Sequence, residues 1–440
     1  MPAPKLLALG LQHVLVMYAG AVAVPLLVGN ALGLPKDQIA FLVSADLFCC
    51  GIVTMIQCLG LLNVGARLPI MMGISFTAVP AIIATGNDPE LGIQGVFGAV
   101  IASGVFTLIA AKFFSKWVRF FPAVVTGTVM LVIGIALMRV GVNWTAGGMP
   151  TIMTADGPIP NPKYGEPFGL AVAALVLITI LVVTRFCKGF VANLGVLIGI
   201  TLGFIVSIIA GRVDFTGLGD AGWVNIVTPF HFGWPIFNLW GTVALCAVMV
   251  VMMIEAVGQF VAVGDMAGQK ISEDRLARGL RTDGLGNIIG GIFNTFTYTT
   301  YAQNVGLLQI TNVLSRFAVA TGGAMLIVLG CLPKVAFISA SIPSYVIGGA
   351  AVVMFGMVSA TGIKILGRAD FINNRRNIYI VAVSLALSAI PVVAPGIYNQ
   401  LPPIFNKIFG SGILVGTFSA LLLNVLFNGI PPKGQEIEAH

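Results

Sequence analysis

Charged residues are scarce in this sequence. Of its 440 residues, only 9% are charged, whereas 58% are apolar even before the glycines are counted. Ordinary soluble domains are about 25% charged and about 45–50% apolar with glycine included. A soluble fold of this length would lack the charges to cover its surface. The composition therefore excludes an ordinary soluble protein and indicates an integral membrane protein in contact with the lipid bilayer.

Motifs of several other protein classes are also absent. The net charge of +7 comes from basic residues spread between apolar runs, so nucleic-acid binding is not indicated. The six cysteines lie in apolar stretches without CxxC spacing, which predicts neither a zinc site nor a disulfide framework. No P-loop points to ATP-driven transport, and no ring-forming filter motif points to a channel. Because no metal-ligand cluster or nucleophile–base arrangement is found, we predict no enzymatic activity, no metal and no cofactor.

Long apolar runs are abundant instead. The first, from Leu6 to Val28, is too long for a signal peptide and is followed by many similar runs. We therefore predict an all-α polytopic membrane protein with about fourteen transmembrane segments. The candidate spans lie near residues 6–29, 38–60, 68–85, 92–111, 122–142, 168–186, 190–210, 238–264, 282–295, 299–313, 316–332, 336–360, 376–395 and 411–429.

The basic residues indicate an orientation. If the first span runs outward from the cytoplasm, 17 Lys and Arg residues lie on the side of the N-terminus and 6 on the other, together the 23 of the sequence. The positive-inside bias then places both termini in the cytoplasm of a cell whose inner membrane holds the protein. Both termini on one side require an even number of spans, and twelve would satisfy this as well as fourteen.

An internal repeat is suggested by two proline–glycine segments. Pro122–Gly127 recurs as Pro343–Gly348 with the shared pattern P-x-x-V-x-G, and Gly141 and Gly362 each follow 19 residues after their proline. If the copies lie in spans 5 and 12, the repeat is seven spans long. An odd repeat length inverts the second copy, which is a design of secondary transporters.

Two segments in corresponding positions are interrupted by polar residues, glycine and proline. Met71–Pro80 lies in the third segment of the first half, and Asn294–Gly306 lies in the third segment of the second half. The β-branched Thr295, Thr297, Thr299 and Thr300 favour extended backbone. Extended backbone at membrane depth is tolerated only where protein or a cavity satisfies its polar groups. The pair predicts a transporter site, and two kinked spans are the alternative.

One carboxylate lies in the middle of an apolar span. Glu255 is followed one helical turn later by Gln259 on the same face. Such a pair accepts and donates hydrogen bonds to a flat heterocycle, and the carboxylate can carry a proton. An internal ion pair or a protonated packing acid is the alternative. A role is expected because a charge at bilayer depth is unfavourable.

Three further ionisable residues stand in or beside apolar segments. Asp283 opens the ninth segment, where it is either a helix-capping residue at the interface or a proton-coupling group. Asp46 lies in the second span and either joins a proton pathway or pairs with an unidentified polar group. His13 lies in the first span, where a structural hydrogen bond to a neighbouring helix is favoured over proton transport.

An amide pair ends the extended part of the tenth segment. Gln303 and Asn304 offer donors and acceptors that suit the edge of an imide or lactam. Phe76, in the partner segment, supplies an aromatic face for stacking. The interrupted backbone, the amides and the buried acid together indicate a site for a planar heterocycle.

These residues resemble a known family, the nucleobase–ascorbate transporters, also called nucleobase:cation symporters of the second type. Its signature Q/E-N-x-G-x-x-x-x-T-R/K/G matches Gln303–Asn312 at every defined position except the last. Gln12 and His13, Glu255 and Asp283 are also similar. The resemblance covers nearly the whole chain and is closest to bacterial urate and xanthine permeases.

The resemblance implies an architecture. It has fourteen spans in two inverted seven-span repeats, short antiparallel strands in spans 3 and 10, core and gate domains, and commonly a homodimer. Mapped onto this chain, residues 1–142 hold core spans 1–4 and gate span 5, and 143–237 hold gate spans 6–7 and connections. Residues 238–332 then hold core spans 8–11, 333–430 gate spans 12–14, and 431–440 a cytoplasmic tail.

The resemblance also implies residue roles and a substrate. Glu255 and Gln303 would hydrogen-bond the base, while Phe76 and Ala302 would offer backbone N–H groups, Phe76 also stacking. Asp283 and Asn304 would support coupling and geometry. Gln303, rather than glutamate, resembles the members that take xanthine or uric acid, so proton-coupled uptake of an oxidised purine is expected. Uptake of uracil or another nucleobase, or a sulfate-permease-like anion carrier, is the alternative.

Overall fold

The computed structural model describes residues 2–117, 121–154, 157–269, 271–311, 313–394, 396–398, 400–402 and 409–429. The predicted tail at 431–440 and the signature residue Asn312 lie outside the described residues. Helices dominate the described chain, as the apolar composition predicts.

The helices are numbered in chain order. They are α1 Ala3–Ala31, α2 Lys36–Leu59, α3 Val79–Gly86, α4 Gly92–Trp117, α5 Ala123–Thr145, α6 Pro167–Phe186, α7 Phe190–Asn193, α8 Gly195–Ile209, α9 Leu239–Met266, α10 Glu273–Ile292, α11 Ala302–Thr311, α12 Arg316–Gly330, α13 Pro333–Ala340, α14 Ser344–Leu366, α15 Arg376–Val393 and α16 Gly412–Asn428. The strands are β1 Met72–Ile74, β2 Thr151–Thr154, β3 Gly157–Pro160 and β4 Tyr298–Thr300.

Eight of the described helices are long and apolar enough to cross a bilayer, namely α1, α2, α4, α5, α6, α9, α14 and α15. A ninth span arises if α12 and α13, bent by 82°, are counted together. Shorter apolar helices occupy Phe76–Gly86, Gly195–Ile209 and Gly412–Asn428. The protein is thus a polytopic helical membrane protein, and the count of fourteen spans stays a prediction.

The described chain forms two compact units. The first comprises residues 1–112 and 171–350, and the second 113–170 and 351–440. In the first unit, α2 packs closely along α12. A Cβ on Gly51 would lie 2.4 Å from the carbonyl oxygen of Gly323, so these helices approach backbone to backbone. Small residues allow such contacts between membrane helices.

The two interrupted segments pair inside the first unit. Strands β1 and β4 are antiparallel with Met72 opposite Thr300, Gly73 opposite Thr299 and Ile74 opposite Tyr298. The predicted short antiparallel strands are therefore confirmed. All six strand residues are buried.

Side chains from neighbouring helices accept hydrogen bonds from backbone N–H groups at the outer edges of this small sheet. Thr54 of α2 accepts a hydrogen bond from the Met72 N–H at 3.0 Å, and Asn287 of α10 accepts one from the Tyr298 N–H at 2.7 Å. An unsatisfied backbone group at this depth would be strongly unfavourable, because no water replaces the lost bond. The polar residues of α2 and α10 thus permit extended backbone inside an apolar unit.

In the second unit, α5 packs against α15, α16 and the second half of α14. A Cβ on Gly127 would lie 2.8 Å from the carbonyl oxygen of Gly362, and one on Gly134 would lie 2.5 Å from the Ser359 N–H nitrogen. Because residue numbers rise on α5 as they fall on α14, the two helices cross antiparallel. Strands β2 and β3 form a separate hairpin after α5.

Candidate functional site

Each paired strand leads directly into a helical turn. Strand β1 is followed by a 3-10 turn at Phe76–Ala78, where the Ser75 hydroxyl accepts from the Thr77 N–H at 3.2 Å. Strand β4 is followed by α11, which begins at Ala302. The first N–H groups of a helix have no acceptor within the helix and carry its positive dipole end. The Ala302 end of α11 therefore offers hydrogen-bond donors beside the sheet.

Phe76 and Gln303 stand at these two turns. Phe76 is buried, whereas Ala302 and Gln303 are exposed. The expectation that Gln303 and Asn304 end the extended part is wrong, since the strand ends at Thr300 and both residues lie in the first turn of α11. The helix orients their side chains to different sides, which leaves Gln303 accessible and Asn304 buried.

Helix α9 brings Glu255 to the same region. It packs against β4, the Phe76–Ala78 turn, α3, α10 and α11. Glu255 is half-buried, and its Oε1 accepts a hydrogen bond from Nε2 of Gln259 at 3.4 Å. The Oε1 of Gln259 is buried and has no hydrogen-bond partner among the described residues. The acid and the amide therefore form the pair expected from their spacing.

Open space lies beside the side chains of Glu255 and Gln303. Gly258 follows Glu255 and Gly306 follows Gln303, each by three residues, and a Cβ added at either glycine would meet no atom within 4 Å. Residues three apart in a helix lie on one face. Glycine thus leaves room next to each of the two side chains.

Asp283 is fully buried in α10. The capping interpretation is wrong, because α10 already begins at Glu273 and its N-cap is Ser272, whose hydroxyl accepts from the Arg275 N–H. Thr299 of β4 donates to Oδ2 of Asp283 at a long 3.5 Å, and Oδ1 has no partner among the described residues. Asp283 therefore connects α10 to strand β4 of the sheet.

His13 and Asn304 are hydrogen-bonded across two helices. Nδ2 of Asn304 lies 3.0 Å from Nδ1 of His13 and donates to the His13 carbonyl oxygen at 3.0 Å. Both side chains are buried. An amide donor facing Nδ1 fits a neutral ring with that nitrogen as acceptor. The bond to a neighbouring helix favoured for His13 is thus present, and it fixes α11 against α1.

Asp46 of α2 contacts the segment around β4, and its partners are those that the sequence left unidentified. Its Oδ1 accepts from the Tyr298 hydroxyl at 2.7 Å and from the Thr295 hydroxyl at 3.3 Å. Cys50, one turn along α2, lies 3.6 Å from the same oxygen through its sulfur. Asp46 therefore holds the segment that contains β4, and among the described residues no hydrogen bond joins it to Glu255.

Sequence reasoning missed the residues that support the sheet. Thr54, Asn287 and Tyr298 fasten the two strands to α2 and α10. The available signal was a polar residue within an apolar helix, as at Thr54 and Asn287. Among the described residues, no group of three or more His, Cys, Asp or Glu side chains is placed to hold a metal ion. The arrangement offers hydrogen-bond donors and acceptors and the carboxyl group of Glu255.

Comparisons with known proteins match nearly the whole chain to permeases. Residues 4–397 match the model of the Permease family Xan_ur_permease. The chain is 47% identical to the uric acid transporter UacT of Escherichia coli (strain K12), covering 97% of this chain and 86% of that protein. It is 42% identical to the xanthine permease of Bacillus subtilis (strain 168), covering 99% and 96%.

A solved structure shares the fold at low sequence identity. The transmembrane domain of the cyanobacterial bicarbonate transporter BicA superposes with a TM-score of 0.62 at 17% identity, covering 94% of this chain and 96% of that domain. At this identity the likeness concerns the fold alone.

Proposed function

Since this chain belongs to the nucleobase–ascorbate transporter family, the permease family whose model it matches, we propose that it takes up an oxidised purine, uric acid or xanthine, in symport with protons. The observation that carries the proposal is Glu255. It is a half-buried acid on an apolar helix that packs against β4 and α11. The proposed location is the cytoplasmic membrane.

The purine is proposed to bind between Glu255 and the start of α11. Glu255 accepts from ring N–H groups, and the exposed amide of Gln303 pairs with a neighbouring carbonyl and N–H edge. Backbone N–H groups at Phe76 and Ala302 donate to purine oxygens, and the Phe76 ring stacks on the base. Gly258 and Gly306 support this proposal, because they leave space beside both polar side chains.

Proton coupling is proposed to run through Glu255, supported by Gln259 and Asp283. An ionised carboxylate at membrane depth is unfavourable without a partner, so binding of a proton with substrate lowers the free energy of the loaded state. Gln259 suits both protonation states: its Nε2 donates to the carboxylate, and its unpartnered Oε1 accepts from the protonated acid after an amide rotation. His13, Asn304 and Asp46 are proposed to hold the site geometry.

The proposed architecture is fourteen spans in two inverted repeats, with core and gate domains. Two contacts support inversion. The third segments of the two halves pair antiparallel through β1 and β4, and Gly127 of the first repeat copy meets Gly362 of the second on antiparallel helices. Cytoplasmic termini are proposed from the distribution of basic residues. A homodimer rests on the resemblance alone and stays a prediction.

Uptake in cells that lack their own purine carriers tests the function. Labelled uric acid and xanthine should accumulate, and unlabelled purine should compete where uracil, ascorbate and sulfate do not. A protonophore should abolish accumulation. Accumulation that persists with the protonophore contradicts symport, whereas competition by uracil or sulfate contradicts the proposed substrate class.

A further inference from the structure

The connection between α8 and α9 contains an uncharged strap, defined here as residues 221–238. It has neither helix nor strand. No Lys, Arg, Asp or Glu occurs between Ala221 and Ile254, whereas the ten residues before the strap include Arg212, Asp214 and Asp220. A connection of this length without charge is unusual for a surface loop in water, since loops are ordinarily polar and solvated.

One side of the strap is fastened to helix ends and loops of the first unit. Gln94, near the start of α4, makes two hydrogen bonds to the strap. Its backbone carbonyl accepts from the Ile236 N–H at 3.1 Å, and its side-chain Nε2 donates to the Phe232 carbonyl at 2.6 Å. Further backbone bonds join the Phe230 N–H to the Ile292 carbonyl at 2.8 Å and the Asn225 N–H to the Cys331 carbonyl at 3.0 Å. The strap is therefore held in one conformation.

The other side exposes large apolar side chains. Trp223 is 74% exposed, Ile226 71% and Trp234 77%. Val224 and Phe237 are also exposed. Soluble surfaces rarely show a continuous apolar patch of this kind unless it binds something. Along the chain, the strap leads directly into the membrane helix α9, whose Leu239 and Val243 are also exposed.

Two aromatic contacts match the chemistry of the membrane interface. Trp234 stacks on Phe230 with ring centroids 4.7 Å apart. The Lys334 ammonium lies 4.1 Å from the centroid of the Trp223 ring. Tryptophan concentrates where headgroups meet acyl chains, because its ring is apolar and its N–H is polar. A lysine beside it lies well for contact with lipid phosphate.

We propose that the strap lies in the interfacial layer of the bilayer and anchors the first unit to lipid through Trp223 and Trp234. We assign the lipid surface as the partner for two reasons. The strap contains no charged residue, and it leads directly into the spanning helix α9. The strap also holds the site indirectly: the Phe232 N–H donates to Oδ1 of Asn294, which stands four residues before β4 at a positive φ of 63°. The anchor thus fixes the membrane depth at which the strand segment begins.

Tryptophan quenching in liposomes tests the proposal on the full chain. Five tryptophans are present, so a variant that retains only Trp234 needs Phe at Trp117, Trp144, Trp223 and Trp240. In phosphatidylethanolamine–phosphatidylglycerol vesicles, bromine on acyl carbons near the headgroup should remove most of its fluorescence. Bromine at the chain ends should quench less, and aqueous iodide should quench little.

A variant that retains only Trp144, which is buried in the second unit, is the matched control and should respond to neither quencher. Strong quenching of Trp234 by iodide without quenching by brominated lipid overturns the proposal in favour of a water-facing loop. Quenching by neither overturns it in favour of a face covered by protein, such as a second copy. If the variant that retains only Trp234 does not fold, the quenching of Trp234 is obtained by subtracting the fluorescence of Trp234→Phe from that of the wild type.

Discussion

The Tyr298 hydroxyl donates a 2.7 Å hydrogen bond to Oδ1 of Asp46, joining residues 252 positions apart. Tyr298 is the first residue of β4, and its backbone N–H donates to Oδ1 of Asn287 on α10. The strand is therefore clamped between α2 and α10, at the point where the chain departs from helix inside an apolar unit. The clamp explains why a carboxylate occurs in the second span although it does not contact the acid on α9.

Removal of the Tyr298 hydroxyl should destabilise the protein. Tyr298→Phe leaves the buried Asp46 carboxylate without its shortest donor, a loss of about 1–3 kcal/mol. Thermal unfolding of the purified protein in detergent measures it. Tyr301→Phe is the matched control, because the Tyr301 hydroxyl has no hydrogen-bond partner among the described residues, and its loss should be smaller. Equal losses in the two variants contradict the clamp.

The position of the broken segments was predictable from sequence, whereas their pairing partners were not. Clustered threonines at 295–300 and Gly73 with Pro80 mark departures from helix through local preference alone. The partner of Asp46 was beyond local reasoning, because Tyr298 becomes its neighbour only when distant segments fold together. The same holds for the His13–Asn304 pair, since a helix pattern shows a buried face but not what covers it.

The prediction that Asp283 lies at the start of a helix is wrong for a different physical reason. Spans were placed by apolar runs, and the first turns of α10 carry Glu273, Asp274, Arg275 and Arg278. The apolar run therefore predicts a helix that begins near residue 282, with Asp283 at its start. The charged turns instead continue the same helix, and Arg275 stabilises them by donating to the carbonyl oxygens of Ala66 and Arg67.

The hydroxyl of Thr54 should contribute to the stability of the folded protein. Thr54→Val keeps the side-chain shape but leaves the Met72 N–H of β1 without its acceptor, which should cost about 1–3 kcal/mol. Thr107→Val is the control: Thr107 is equally buried, but its hydroxyl only donates to the Ser103 carbonyl of its own helix. Chemical or thermal unfolding should show the larger loss at Thr54, and a larger loss at Thr107 argues against the need for an edge acceptor.

The same glycine-to-alanine substitution should destabilise the protein at one position and leave its stability intact at another. Gly51→Ala places a Cβ 2.4 Å from the Gly323 carbonyl oxygen, so α2 and α12 must separate at a cost of about 1–3 kcal/mol. Gly258→Ala meets open space on α9 and should not lower the unfolding temperature. Comparing the unfolding midpoints of both variants with wild type checks this. A destabilised Gly258→Ala protein contradicts the space assigned beside Glu255.

Glu255→Gln should reduce purine uptake to background while the amount of protein in the membrane stays normal. The amide keeps the size and part of the hydrogen bonding of the acid but neither ionises nor carries a proton, so binding and coupling are both impaired. Glu90→Gln makes the same chemical change at an exposed loop position and should transport as wild type. Binding measured separately by calorimetry distinguishes the two roles. Retained binding without uptake assigns Glu255 to coupling, lost binding assigns it to the purine contact, and normal uptake removes it from the mechanism.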